Sequence, residues 1–179
     1  MKNIIILISL SLFVVGLQAQ ALTVNVTAGE CSGYDLELDG NILDRLSTCD
    51  FEATQNTGGT TQLLSFTNVD MSLGLSGIST LDLVNIRRGL FFGFDNNLHI
   101  IASDYDLDGA VSTYDLVSMR STILGITTGE VNLSIVPSNI MSVDPFDIAI
   151  DYSTLEVTQD DFANGVLDIS VVKAGNLDF

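Results

Sequence analysis

The chain has no tryptophan, one histidine, two cysteines, two prolines and six lysines or arginines in 179 residues, against 23 aspartates and glutamates. The shortage of positive charge argues against nucleic acid as a partner, because phosphate binding works through Lys and Arg displacing counterions. It argues equally against docking on anionic lipid. A single histidine, His99, excludes multi-histidine zinc sites. A Ser–His–Asp triad would have to use it. Yet it stands in Asn96–Asn97–Leu98–His99–Ile100–Ile101 with no Gly-x-Ser-x-Gly elbow nearby, and it reads as a connector residue. Acidic pairs such as Asp160–Asp161 could serve a glycosidase, but spacing alone does not establish that and tryptophan is absent. No glycine-rich phosphate loop occurs. No catalytic residue is assigned, and the chain is expected not to be an enzyme.

Long apolar runs are also scarce. The one present spans Ile4 to Gly16, follows Met1–Lys2–Asn3 and leads to Ala19–Gln20–Ala21. A basic start, a short apolar stretch and an Ala-x-Ala exit describe a secretory signal peptide, with cleavage after Ala19 or Ala21. The run falls short of the ~20 apolar residues a membrane-spanning helix needs. A secreted or cell-surface protein without a membrane span is therefore expected. The two cysteines, Cys31 and Cys49, fit that compartment. An isolated pair in a secreted chain is most simply a disulfide, whereas a redox site prefers Cys-x-x-Cys and zinc wants further Cys or His.

What remains divides into three stretches after the signal segment 1–19. Residues 22–68 look β-rich: Leu22–Thr23–Val24–Asn25–Val26–Thr27 alternates with period two, Gly58–Gly59 marks a turn, and Thr60 to Thr67 reads as a strand. Residues 127–179 return to strand-like runs, Val131 to Val136 and Leu167 to Val172, with Pro137 and Pro145 between them. The middle stretch, 69–126, carries an internal repeat. Ser79–Thr80–Leu81–Asp82–Leu83–Val84–Asn85–Ile86–Arg87 returns 33 residues later as Ser112–Thr113–Tyr114–Asp115–Leu116–Val117–Ser118–Met119–Arg120. Each copy continues with apolar residues three and four apart, Leu83, Ile86, Leu90 and Leu116, Met119, Ile123, which predicts helices over Thr80–Leu90 and Thr113–Leu124. A Ser or Thr before each run can cap it, and the early Asp suits the helix dipole.

The second copy is preceded by Asp104–Tyr105–Asp106–Leu107–Asp108–Gly109–Ala110–Val111–Ser112–Thr113–Tyr114–Asp115. With Asp104 as position 1, carboxylates fall at 1, 3, 5 and 12, Gly at 6 and Ser at 9, the ligand positions of an EF-hand loop. Calcium is a hard ion that wants six to eight oxygens, and alternate carboxylates can wrap around it. Gly109 permits the turn that brings the Ala110 carbonyl inward, Ser112 ligates directly or through a water, and Asp115 closes the site. Val111 suits the short β-contact between paired loops. One Ca2+ ion is expected, held by Asp104, Asp106, Asp108, Ala110, Ser112 and Asp115. In the first copy Met71, Leu73 and Leu75 occupy the positions of Asp104, Asp106 and Asp108, so no metal is expected there and its apolar loop should pack instead.

Paired loops ending in Asp, each followed by one helix and with no full helix before the loop, resemble type I dockerin domains. The Ser–Thr–x–Asp–Leu–Val starts and the Arg five residues after each final Asp carry the likeness, which covers roughly residues 70–126, with a weaker echo from Asp168 to Asn176. The resemblance implies an extracellular protein partner, cohesin-like, recognised through Thr80, Leu81, Arg87, Thr113, Tyr114 and Arg120. The expected fold is α+β, a dockerin-like pair of loop–helix units packed with short antiparallel strands from both ends of the chain. Three readings follow. The first is a calcium-dependent protein-interaction module. The second is a calcium-stapled structural domain, and the third an accessory to polysaccharide degradation. A binding face should expose apolar or Arg residues on the two helices, whereas a staple should bury them.

Overall fold

A computed structural model describes residues 20–54, 61–129, 131–140, 142–148 and 152–178. The expected signal segment and the expected Gly58–Gly59 turn lie outside the described residues. Among the described residues the architecture is mixed α+β, with two β-sheets and four α-helices.

The N-terminal stretch supplies β1 (Ala21–Gly29), β2 (Asp35–Leu38), β3 (Asn41–Ile42), β4 (Asp44–Arg45), β5 (Asp50–Thr54) and β6 (Thr61–Thr67). The C-terminal stretch supplies β7 (Leu133–Pro137), β8 (Thr154–Thr158) and β9 (Val166–Lys173). One sheet runs β4-β5-β1-β9-β7 and the other β3-β2-β6-β8. Strands from both ends of the chain thus share each sheet. One pair departs from the antiparallel expectation: β9 runs parallel to β1, Val24 opposite Leu167. The intervening helices and strands provide the long crossover that a parallel pair requires.

The period-two pattern of β1 sends Leu22, Val24 and Val26 inward. They meet Phe51, Ile135, Ile169 and Val171 from their own sheet and Leu36, Leu38, Leu64 and Val157 from the facing one, forming one apolar core. Each such side chain, fully buried, contributes about 1.5–3 kcal/mol. The Cys31–Cys49 disulfide packs against this core. Arg45 lies over the Phe51 ring, donates to the carbonyls of Cys31, Tyr34 and Thr48, and pairs with Asp35.

Strands β7 and β9 are buried on both faces. Ile135 and Val171 point into the core between the sheets. Val136 and Val172 point the other way, into a second core. That core is made with α1 (Thr80–Phe92), α2 (Asn97–Ser103) and α3 (Thr113–Ile123), through Ile86, Ile100, Ile101 and Met119. Ile86 and Met119, 33 residues apart, are both fully buried. The helical unit therefore sits against the outer side of the five-stranded sheet. A last short helix, α4 (Gln159–Asn164), joins β8 to β9. No helix among the described residues is long and apolar enough to cross a membrane.

Two helices were not apparent in the sequence. α2 occupies the stretch read as a connector, so the acidic loop has a helix before it as well as after it. α4 contains the Asp160–Asp161 pair, and Asp161 serves its helix: its carboxylate accepts from the Thr158 backbone N–H at 2.7 Å and hydroxyl at 2.8 Å.

Candidate metal centre

α2 and α3 hold the acidic loop between them. Asn96 caps α2, its Oδ1 accepting from the His99 N–H at 2.8 Å, and places His99 in the first turn. Ile100, Ile101 and Ala102 bury the helix against the second core and deliver the chain to Asp104. On the far side Ser112 caps α3, its hydroxyl accepting from Tyr114 N–H, while Asp115 returns a carboxylate to the Ser112 N–H at 2.7 Å. This reciprocal arrangement is a capping box.

Between these anchors Asp104, Asp106 and Asp108 converge, each offering a carboxylate oxygen, with those atoms all within 4.8 Å of one another. Two oxygens bound to one calcium at about 2.4 Å can be no more than ~4.8 Å apart, so the spacing admits a shared ion. The donors are all oxygen, which excludes the soft-metal preference of Cys and His sites. Asp104 is 4% exposed. Its oxygens accept from Asp108 N–H at 3.1 Å and Gly109 N–H at 3.0 Å. Burial pushes its carboxyl up to about 6; the Gly109 bond opposes this, and the charges of Asp115, Asp108 and Asp106 add to it. Asp106 is raised too, first by burial and then by the Asp115 charge. Carboxylates held together in this way repel one another unless a cation joins them.

Asp115 is fully buried and accepts from Tyr105 N–H at 2.7 Å, Asp106 N–H at 3.3 Å and Ser112 N–H at 2.7 Å. It ties the beginning of the loop to its end. An ionised carboxylate has about four acceptor positions, so these three bonds leave capacity for an ion. Gly109 has φ 91, a conformation in which a side chain would be strained. Leu107 also takes positive φ, 57, a backbone demand that its side chain gives no hint of. The loop opens onto a cleft of about 430 Å3 that Asp147, Ser134 and Tyr152 also line. Asp147 comes from a distant segment, and no motif marks it.

The β-contact expected of Val111 forms with a different partner. Val111 N–H donates to the Pro145 carbonyl, and Ile148 N–H to the Gly109 carbonyl, both at 2.6 Å. The segment 145–148 thus occupies the position a paired loop would take. In the first copy, Met71 lies in a 3-10 turn (Met71–Leu75) and is exposed rather than packed. The side chains of Leu73 and Leu75 lie outside the description.

The first unit is closed by other means. Asp82, fully buried, receives Ser79 N–H and hydroxyl at 2.8 Å each on Oδ2, and the Leu177 N–H at 3.0 Å on Oδ1. Leu177 thus does for Asp82 what Tyr105 does for Asp115. Gly77, φ 75, makes room: a Cβ there would lie 2.8 Å from Asn176 Nδ2. The Lys173 ammonium, buried beside the same segment, donates to the Ser76 carbonyl. Burial lowers its pKa, and the Glu30 charge works against that shift.

No family model, curated protein or solved structure matches this chain. All six residues named for partner recognition are exposed: Thr80, Leu81 and Arg87 on α1, and Thr113, Tyr114 and Arg120 on α3. Val84 and Val117, again 33 residues apart, are exposed at 60% and 59%. Leu81 and Tyr114 are exposed at 57% and 64%.

Proposed function

We propose that this chain is a secreted calcium-binding module of dockerin-like build that captures an extracellular protein partner. The observation that carries the calcium part is the convergence of Asp104, Asp106 and Asp108 within 4.8 Å in an oxygen-only loop whose backbone is fixed from both sides. Asp115, Ser112 and the Ala110 carbonyl complete the proposed ligand set for one Ca2+. The flexible coordination of calcium suits a loop whose donors come from alternate residues, whereas magnesium demands near-ideal octahedral geometry.

The partner part is supported by matched exposed stripes on α1 and α3: Leu81 with Tyr114, Val84 with Val117, Arg87 with Arg120. A domain in which calcium only stapled the fold would have no reason to present apolar residues at equivalent positions on two helices. Charge reinforces this. In a chain with 23 acidic residues, Arg45 is engaged by carbonyls and Asp35 and Lys173 is buried, while Arg87, Arg88 and Arg120 lie exposed on the two helices. A cohesin-like partner with an apolar centre and acidic surroundings is the complementary surface.

Two experiments test the reading. Calcium at a hundredfold excess over its Kd should raise stability by about 2.7 kcal/mol, read as a rise in Tm. A purified cohesin module should bind in calcium and lose binding in the Leu81→Asp, Tyr114→Asp variant, whose calcium response stays intact. A calcium response without cohesin binding would leave the metal site standing and remove cohesin as the partner.

A further inference from the structure

The two repeats are closed by different stretches of chain, and we infer that calcium governs only half of the proposed docking face. In this inference α1 is a permanently formed half and α3 a calcium-gated half. It rests on the functional reading above and adds its regulation.

The asymmetry lies in what surrounds two equivalent aspartates. Asp115 binds the N–H groups of Tyr105 and Asp106, both inside the acidic loop. Its anchor therefore lies inside the segment in which Asp104, Asp106 and Asp108 crowd together, whose remaining ties are the Gly175–Ala102, Val111–Pro145 and Ile148–Gly109 backbone bonds. Without an ion, their mutual repulsion acts directly on the residues that hold the start of α3. Asp82 binds the Leu177 N–H instead, from the segment that follows β9. β9 is a central strand, paired with β1 on one side and β7 on the other, and its residues 169–173 are buried. The anchor of α1 thus follows within four residues of a strand paired on both sides.

The positive charge differs likewise. At Ser76, which aligns with Gly109 in the repeat, the carbonyl receives the ammonium of Lys173. That cation is covalently part of the chain and does not leave when calcium does. Leu177 and Tyr105 are both largely buried in the second core, so each unit carries one apolar residue beside its N–H donor. The match between the units therefore extends to packing; they differ in the segment that supplies the N–H donor and in what the equivalent carbonyls receive, the Lys173 ammonium at Ser76 and the Ile148 N–H at Gly109. On this account removing calcium loosens the surface bearing Tyr114, Val117 and Arg120 and leaves that bearing Leu81, Val84 and Arg87 in place.

Hydrogen exchange of the full chain, followed by mass spectrometry in calcium and in EGTA, tests this. Amides of Leu116–Ile123 should exchange at least about tenfold faster in EGTA, and those of Leu83–Phe92 should change by less than about twofold. The Asp82→Ala and Leu177→Pro variants should show the reverse in calcium, with α1 losing protection and α3 keeping it. If calcium binds but both helices respond together, or neither does, the inference is overturned and the metal site stands. If calorimetry detects no calcium binding at all, the functional reading fails and the inference with it.

Discussion

Replacing Asp82 with alanine should destabilise the protein by about 2–4 kcal/mol although the residue lies outside the proposed metal site. Two losses add. The Asp82 half of the capping box disappears, so Ser79 N–H and hydroxyl lose their acceptor while the Ser79 bond to Leu81 N–H remains, a loss of about 1 kcal/mol. The Leu177 N–H, in a residue only 6% exposed, loses its acceptor. An unsatisfied buried donor costs about 1–3 kcal/mol. The fully buried position leaves little room for water to substitute. Urea denaturation in EGTA, followed by far-UV circular dichroism, measures the effect as a drop in midpoint at unchanged slope. Asp115→Ala should cost less than this in EGTA, where the loop carrying its Tyr105 partner is already loosened. The two variants should separate in calcium, where only Asp82→Ala retains the full calcium-induced gain. A loss below about 1 kcal/mol for Asp82→Ala would refute the claim that Leu177 latches α1 through this carboxylate.

Gly109→Val should abolish calcium binding, because φ 91 is closed to a β-branched residue; calorimetry reads the loss directly. Reducing the Cys31–Cys49 disulfide, whose cysteines are 18 residues apart, should lower stability by about 3 kcal/mol in the chain-entropy account, measured by urea denaturation with and without reductant. The pH response should change sign with calcium. In the ion-free protein the Asp104 carboxyl sits near 6, above its ordinary value, so the folded state holds more protons than the unfolded one between about 4 and 6. Stability in EGTA should therefore rise as pH falls through that window. In calcium the proton competes with the ion, so the calcium-induced rise in Tm should shrink over the same range.

The repeat made α1 and α3 legible, because the Ser-x-x-Asp capping boxes and the three-and-four apolar spacing are local signals that the tertiary structure leaves in force. Both helices end within two residues of the sequence expectation. β1 was legible for the same reason, with Leu22, Val24 and Val26 on one face. α2 was not, because Ile100, Ile101 and Ala102 are all buried and the helix shows no polar stripe; its Asn96 cap was the one available sign. α4 was hidden by its shortness, six residues behind another Thr-x-x-Asp box. Within the site, the positions of Asp104, Asp106 and Asp108 follow from spacing alone. What pairs with the loop does not. The Pro145–Ile148 contact and the Leu177 latch join residues far apart in sequence, brought together only by the shared strands β7 and β9. Asp147 at the cleft belongs to the same class.

Calorimetric titration of the protein with calcium, beside an Asp104→Ala, Asp108→Ala double variant, addresses the central claim most directly. The account predicts one ion per chain, no binding in the variant, and a higher Tm in calcium for the unaltered protein alone. No heat at millimolar calcium, or binding that survives the double substitution, would contradict it.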